Sequence, residues 1–407
     1  YKPHTSFLLC IKRKYSLYNI VYYRKRIYVK RRTMIYYDNA ATGGFKPRAA
    51  LDALINVARY LSANPGRSGH RLSVTGAKIV GSCRETIADF FGCRPEKVIF
   101  TKNCTEALNI AILGTVKKGG KVITTVLEHN SVLRPLTRLS RHGYITLETV
   151  APEKGESFAD AVIKKLSDEV CLVVATAVSN VTGEKLPLSL IGEACSKRGI
   201  PLLADGAQGG GHIPLDMKKN GLNMLALAGH KGLCGVMGSG VLCIDDETEV
   251  MPLITGGTGT ESFNLEQPMS YPERLEAGTL NLPAIAALEE GVRYVKKNLD
   301  NFGKTLSEAT GKLIDELSGI SGVRCYSQAN EAGIVSFSVK GKDSADVADV
   351  LDSGYDVAVR GGLHCAPLTH KYLGTADGGL IRASLAVQNT SREADFFVRA
   401  IKEICKT

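Results

Sequence analysis

Between residues 95 and 245, short apolar runs alternate with stretches of helical periodicity, and this alternation restricts the chain more than any other feature. The strand-like runs are Lys97–Thr101, Lys121–Thr125, Cys171–Ala177, Pro201–Ala204, Met224–Ala228 and Gly240–Ile244. The helical stretches Thr105–Leu113, Ser131–Leu139, Phe158–Lys165 and Leu188–Lys197 lie between them. Strands this uniformly apolar cannot face water, and strand–helix alternation predicts a parallel sheet covered on both faces. From about 283 to 318 the pattern is one long amphipathic helix, expected to break near Asn301-Phe302-Gly303. Beyond it, Gly333–Val339 reads as a strand, Ser344–Ser353 as a helix and Leu380–Ser384 as a strand, a smaller α+β arrangement. The expected organisation is a large domain over 51–285 and a small one over 286–407, with 34–50 returning to pack on the latter.

Ligands of parallel α/β sheets sit beyond the carboxyl ends of the strands. In this chain those ends carry Asn103-Cys104-Thr105, Glu128-His129-Asn130, Ser179-Asn180, Asp205-Gly206-Ala207-Gln208 and Gly229-His230-Lys231. Taken singly, each has a bland alternative: an ordinary helix cap at Asn103-Cys104-Thr105, a surface lysine in a turn at Lys231. Together they make a chemical set. A helix start bearing a hydroxyl can hold a phosphate. Asp205 follows the apolar Pro201–Ala204 run, and a carboxylate drawn inside needs a cationic partner, such as a protonated pyridine nitrogen. A desolvated lysine near other cations gives up its proton and becomes an imine-forming nucleophile. His129 can stack its ring on an aromatic cofactor and shuttle protons. An anion-binding helix start, a buried carboxylate and a lysine nucleophile describe a site for pyridoxal 5′-phosphate.

Composition narrows the partners. The 407 residues carry a formal charge of +10, but ten of the 51 Lys/Arg fall in residues 1–33, where there is no Asp or Glu. The remainder carries 41 basic against 41 acidic residues. With no Trp and no basic run in this neutral body, a nucleic-acid footprint is absent. Residues 1–33 are read as a basic extension outside the folded body, either disordered or not native; the alternative is an organelle-targeting segment, being basic and acid-free. No run of about 18 apolar residues marks a membrane span. The eleven cysteines are odd in number and form no C-x-x-C pair, which argues against a disulfide framework and for a reducing, cytoplasmic setting.

Eight stretches carry a resemblance to a known family. They are Tyr37-Asp38-Asn39-Ala40-Ala41-Thr42, Cys104-Thr105-Glu106-Ala107-Leu108-Asn109, Glu128-His129-Asn130-Ser131, Ala204-Asp205-Gly206-Ala207-Gln208, Gly229-His230-Lys231-Gly232, Arg274-Leu275-Glu276-Ala277-Gly278-Thr279, Arg360-Gly361-Gly362-Leu363-His364-Cys365-Ala366 and Arg382-Ala383-Ser384-Leu385. In this order they resemble the class V aminotransferases, specifically the cysteine desulfurases and selenocysteine lyases, with the compact Arg-x-Gly-x-His-Cys form of group II. The resemblance implies fold type I of the pyridoxal-phosphate enzymes: a large domain with a mostly parallel seven-stranded sheet, a smaller C-terminal α+β domain, and a homodimer. It implies that Lys231 would hold the cofactor covalently, that Asp205 would pair with the pyridine nitrogen and that Gln208 would bond the ring hydroxyl. Cys104 (through its backbone), Thr105 and His230 would bind the phosphate, and Thr279 would reach the phosphate of the neighbouring subunit. His129 would stack on the ring. Asn180 and Arg382 would hold the substrate carboxylate, with Arg360 nearby, a task suited to a guanidinium fork.

By the same resemblance Cys365 would be the thiolate that takes sulfur from L-cysteine, leaving a persulfide for an acceptor protein. Arg360, His364 and the Gly361-Gly362 loop would activate it. Read without the resemblance, Cys365 is equally a buried small apolar residue. The chain departs from the family at Ala228, where a serine is common, at Gln388, where group II often has tyrosine, and in the glycine-containing segment Asn64–His70. L-Selenocysteine and cysteine sulfinate compete with L-cysteine as substrate. A plain aminotransferase would leave Cys365 without a task, and a non-catalytic carrier or scaffold would leave Lys231 and Cys365 without one. Other signals are weak. Gly303-Lys304-Thr305 lacks the P-loop glycine at Asn298, Gly257-Thr258-Gly259 lacks the third glycine of a dinucleotide fingerprint, and the spacing of His364, Cys365 and His370 fits no common zinc pattern.

Overall fold

The computed structural model describes residues 34–61 and 63–406, together with the backbone of two short antiparallel strands, Ile20–Tyr23 (β1) and Arg26–Val29 (β2). The reading of segment 1–33 as a basic extension lies outside the described residues. The body opens with Ile35–Tyr36 (β3), then two helices, Arg48–Tyr60 (α1) and Arg71–Phe91 (α2).

Seven strands follow: Val98–Thr101 (β4), Lys121–Thr125 (β5), Thr146–Val150 (β6), Val170–Thr176 (β7), Leu202–Asp205 (β8), Met224–Ala228 (β9) and Gly240–Ile244 (β10). They form one sheet in the order β4-β10-β9-β8-β7-β5-β6. Six run in one direction and β10 alone runs against its neighbours β4 and β9. Alternate residues serve opposite faces: Val173, Leu225, Leu227 and Val241 join one apolar cluster, and Leu172, Val174, Ala226 and Leu242 the other. The helices Cys104–Thr115 (α3), Asn130–Arg141 (α4), Phe158–Ile163 (α5) and Leu188–Ser196 (α6) connect the parallel strands. The predicted runs lie within a residue or two of these elements. The strand missing from the sequence reading is β6, an edge strand of Thr-Leu-Glu-Thr-Val that is half exposed, so no apolar run marks it.

The second layer holds Val323–Cys325 (β11), Ile334–Val339 (β12), Arg360–Gly362 (β14) and Leu380–Ser384 (β15), in the antiparallel order β11-β12-β15-β14. The short Val357–Ala358 (β13) pairs in parallel with β3, and Tyr37 is wholly buried in this layer's cluster. Helices Ser344–Tyr355 (α8), Pro367–Leu373 (α9) and Ser391–Ile404 (α10) complete it. A mostly parallel seven-stranded α/β layer with a smaller C-terminal α+β layer is the architecture expected.

The expected break near Asn301-Phe302-Gly303 is absent. Leu282–Ser318 (α7) is one continuous helix of 37 residues. Its first half packs Leu282, Ile285, Leu288 and Val292 into the large-sheet core, and its second half packs Leu306, Leu313 and Leu317 into the other. A mid-helix glycine costs only about 1 kcal/mol. That is less than the anchoring at either end, and Phe302 packs back on Tyr294 at 5.6 Å between centroids. The expected division at 285/286 falls inside this helix.

The segment that carries Thr279 is tied down by a buried ion pair. Arg84 of α2 donates to Glu276 Oε2 (2.5 Å) and to the Val98 carbonyl, while Glu276 Oε1 accepts from Phe100 N (2.6 Å). Glu276→Ala strands a buried guanidinium, a change that costs about 3–5 kcal/mol. The variant is expected to unfold at a clearly lower urea concentration than the wild type, as followed by circular dichroism.

Candidate active site

The carboxyl ends of β4, β5, β7, β8 and β9 converge on a cavity of about 90 Å³. Its lining includes Cys104, Thr105, His129, Asn180, Asp205, Gln208, His230 and Lys231. Each arrives by local rules. Asn103 caps α3 by accepting from Glu106 N, which presents Cys104 and Thr105 at the helix start. His129 caps α4, its Nδ1 accepting from Ser131 N at 3.0 Å. Asp205 is the last residue of β8, opposite Thr176 on β7 and Ala226 on β9. Gly229 lets the chain turn out of β9 toward Lys231, because a Cβ there would stand 2.2 Å from Ser239 Oγ.

A hydrogen-bonded chain runs along one wall. Thr105 Oγ1 lies 2.8 Å from Ser131 Oγ, which lies 2.9 Å from His129 Nδ1. With Nδ1 accepting, the neutral ring of His129 carries its proton on Nε2, and burial lowers its pKa. On the opposite wall His230 Nδ1 meets Thr42 Oγ1 at 3.1 Å. Burial, with Lys231 and Lys46 close by, lowers the pKa of His230 to about 4. Asp205 Oδ1 accepts from Ala207 N (2.9 Å) and from the Cys104 thiol (3.5 Å). Burial, then Asp205 itself, raises the Cys104 pKa well above the usual thiol value, so Cys104 remains a thiol. Gln208 donates to the Ala40 carbonyl and its buried Oε1 has no partner. Among the described residues the Lys231 side chain has no hydrogen bond or ion pair, while its carbonyl accepts from Cys234 N. Desolvation lowers its pKa, and the Arg382 and Arg360 charges add to the effect against Asp205.

The second layer supplies a cationic corner. Arg382 and Arg360 are register partners on β15 and β14. Arg382, 1% exposed, donates to the Asn180 carbonyl (2.9 Å) and to Asp38 Oδ1 (3.0 Å), leaving Nε without a partner. Asn180 donates to the His364 carbonyl (2.7 Å), and its buried Oδ1 is likewise unpartnered. Arg360 donates to Cys365 Sγ at 3.5 Å. Two guanidiniums against one carboxylate leave a surplus of positive charge, which suits an anionic ligand.

Cys365 is half-buried and follows His364; both have left-handed backbones (φ 58° and 49°), and the Cys365 carbonyl accepts from Asn130 N at 2.7 Å. His364 does not activate the thiol as expected. Its Nε2 bonds the Leu380 carbonyl (3.0 Å), and burial, with Arg382, Arg360 and His370 near, lowers its pKa to about 2, so it brings no charge. Thr279 lies apart from the cavity. It is exposed on a groove of about 770 Å³ that it shares with Asn103 and His230. Ala228 sits in the cavity wall and offers no hydroxyl there. Arg67, in the glycine-containing segment, donates to the Gly257 and Gly278 carbonyls and so binds that segment to the loop before Thr279.

Asp38, Ser131 and Thr42 were not singled out in the sequence, though each lies inside a stretch already noted. Asp38 follows Tyr37, which anchors β3 in the core. Ser131 is two residues beyond His129. Nothing local to a sequence says that a serine will bridge a histidine and a threonine 26 positions away.

A seven-stranded, mostly parallel layer with a C-terminal α+β layer, and a lysine, an aspartate and a helix start gathered at its strand ends, defines fold type I of the pyridoxal-phosphate enzymes. The chain belongs to the class V aminotransferase family, whose profile matches residues 35–397, and within it to the cysteine desulfurase-like branch. A probable cysteine desulfurase of Pyrococcus abyssi is 34% identical over 391 residues, covering 92% of this chain and 95% of that one. One of Methanothermobacter thermautotrophicus is 32% identical over 385 residues, with 92% and 95% covered. The apo structure of a cysteine desulfurase from Thermococcus onnurineus NA1 superposes with a TM-score of 0.84 at 33% identity, covering 92% of this chain and 95% of that chain. No helix among the described residues is long and apolar enough to cross a membrane.

The histidines set a pH dependence. An ordinary histidine pKa is 6.5, and folding holds His230 near 4 and His364 near 2. Below pH 6.5 the unfolded chain therefore binds protons that the folded one excludes, so stability falls as pH drops from 6.5 toward 4. His364→Gln, which keeps a donor for the Leu380 carbonyl, is expected to flatten that slope in urea titrations between pH 4.5 and 7.

Proposed function

We infer that the chain is a pyridoxal-phosphate-dependent cysteine desulfurase, converting L-cysteine to L-alanine and leaving a persulfide on Cys365. The observation that carries this is a strand-end cavity lined by an unpaired lysine and a carboxylate, with Arg360, whose charge acts on Lys231, donating to Cys365 Sγ. The donor set fits the cofactor. Asp205 would face the pyridine nitrogen, the unpartnered Gln208 Oε1 the ring hydroxyl, and His129 one ring face. The start of α3 at Cys104 and Thr105, with His230, would take the phosphate, and Lys231 would anchor the group covalently. When bound, pyridoxal 5′-phosphate supplies an electron sink conjugated to the substrate's Cα.

The chain's own residues do the rest. Arg382 and Asn180, each with an unpartnered buried polar atom, hold the substrate carboxylate, with Arg360 beside them. Lys231, its pKa lowered, takes the proton from Cα as a neutral amine. The Cys365 thiolate, held by Arg360, attacks the substrate sulfur; an S–S bond forms as the Cβ–S bond breaks. The proton held by Lys231 and the proton given up by the substrate thiol end on the two carbons, and alanine leaves. The relatives named probable cysteine desulfurases support this reading, and the intact Lys231 and Cys365 argue against a non-catalytic carrier or scaffold.

The protein is also inferred to act as a homodimer. The segment before Thr279 exposes Phe263 and Leu265 fully and Met269 at 60%, an apolar surface suited to a second copy that would receive Thr279 at its phosphate site. Phe263→Asp/Leu265→Asp is expected to shift the mass from dimer to monomer in light scattering and to weaken cofactor retention.

Alanine release from L-cysteine, L-selenocysteine and cysteine sulfinate tests the reaction. Wild type is expected to release alanine from L-cysteine. Lys231→Ala should release none, and Cys365→Ser should lose activity on cysteine by at least about 100-fold, the scale of removing a participating nucleophile. Activity confined to selenocysteine and surviving Cys365→Ser would make the protein a selenocysteine lyase. Activity on cysteine sulfinate alone would make it a desulfinase.

A further inference from the structure

Cys365 cannot carry sulfur far. Two consecutive residues with left-handed backbones, His364 and Cys365, are fixed on several sides: His364 Nε2 on the Leu380 carbonyl, the His364 carbonyl on Asn180, the Cys365 carbonyl on Asn130 N, and Ala366 N on the Leu363 carbonyl. A tethered thiol makes the acceptor come to it, and the surface beside it shows what approaches.

A groove of about 470 Å³ runs between α4, β6 and the start of α9. Its apolar floor is Leu133, Leu147, Pro367 and Leu368. Its rim is cationic. Arg134, Arg138 and Arg141 recur at i, i+4 and i+7 along α4, on one face, and all three are exposed. Among the described residues none of the three has an ion pair. The groove adjoins the backbone of the thiol-bearing residue: Pro367 and Leu368 follow Cys365 by two and three residues, and the backbone N–H of Asn130, which lines the groove, donates to the Cys365 carbonyl.

Resting on the desulfurase reading above, we propose that this groove docks the sulfur acceptor, and that the docking element is an acidic polypeptide segment with apolar residues and a cysteine. Three unpaired arginines call for carboxylates, and the aliphatic floor calls for apolar side chains between them. A nucleic acid fits less well, since the groove's lining offers a single aromatic ring, His142, with its Nδ1 held on the Arg138 carbonyl at 2.7 Å, and the body carries no net charge. The transfer balances without an external oxidant. The acceptor thiolate attacks the outer sulfur of the Cys365 persulfide, the new S–S bond forms on the acceptor, the old one breaks, and Cys365 departs as a thiolate.

The test uses the holoenzyme and a fluorescent synthetic peptide of Asp, Glu and Leu with one Cys. A basic peptide with Lys in place of the acids and a single-stranded RNA oligonucleotide serve as comparisons. Fluorescence anisotropy reads binding, and persulfide transfer is read beside reduction by dithiothreitol. The acidic peptide is expected to bind better than the other two, and less well as salt rises. Arg134→Glu/Arg138→Glu/Arg141→Glu should weaken it roughly tenfold, as three exposed ion pairs imply, and should favour the basic peptide. Alanine release with dithiothreitol should be unchanged. Lys117→Glu/Lys118→Glu, elsewhere on the surface, should change nothing, and the three Arg→Gln changes should lie between.

Equal binding of acidic and basic peptides, indifference to the arginine reversal, or RNA binding more tightly through the same arginines would each overturn the proposal. The two readings separate cleanly. Alanine release without peptide binding sinks the docking face alone. Peptide binding that depends on the arginines, in a protein that releases no alanine, sinks the desulfurase reading and leaves the face standing.

Discussion

A guanidinium with 1% of its surface exposed persists only if its charge and its N–H groups are met inside the protein. Arg382 satisfies this by drawing three distant parts of the chain together. It stands on β15, takes Asp38 from the segment after β3, and takes the carbonyl of Asn180 from the loop after β7. Asn180 in turn holds the His364 carbonyl beside Cys365. Break this junction and the cationic corner, the thiol loop and the strand-end cavity lose their common reference. The unpartnered Nε of Arg382 and Oδ1 of Asn180 mark where the junction is incomplete in the protein alone.

The electrostatic design follows from the same burial. His129, His230 and His364 all have lowered pKa values, with desolvation the leading cause at each. Lys231 is pushed the same way. Cys104 is pushed up and stays protonated against Asp205. The site thus gathers neutral imidazoles and a lysine shifted toward its neutral form around arginine charges, an arrangement suited to moving a proton while holding an anion.

Much of this was legible in the residues, and for a physical reason. Strands β7 to β10 are buried on both faces, so their apolar runs stand out, and the polar group at each strand end follows by position alone. That places His129, Asn180, Asp205, Gln208 and Lys231 without any contact being known. Strand β6 escaped notice because an edge strand need not be apolar. Helix α7 runs unbroken because the packing at both its ends outweighs the local propensity at Gly303, and that packing is not visible in the residues around the glycine. Asp38 and Ser131 were invisible as partners, since their roles depend on pairings across 344 and 26 residues. The sequence position of His364 next to Cys365 suggests an activating role, whereas its burial and its bond to the Leu380 carbonyl, which turn it away from that task, depend on contacts across the fold.

Helix α7 is rooted in both hydrophobic cores and has no joint between them. At 1.5 Å per residue its 37 residues form a strut about 55 Å long. A strut of that kind transmits torque. The layer bearing Arg382 and Cys365 therefore cannot swing freely away from the layer bearing Lys231; it can only lean as far as the helix bends. The cationic corner is framed like a truss, with its parts held in register by a member that does not line the strand-end cavity.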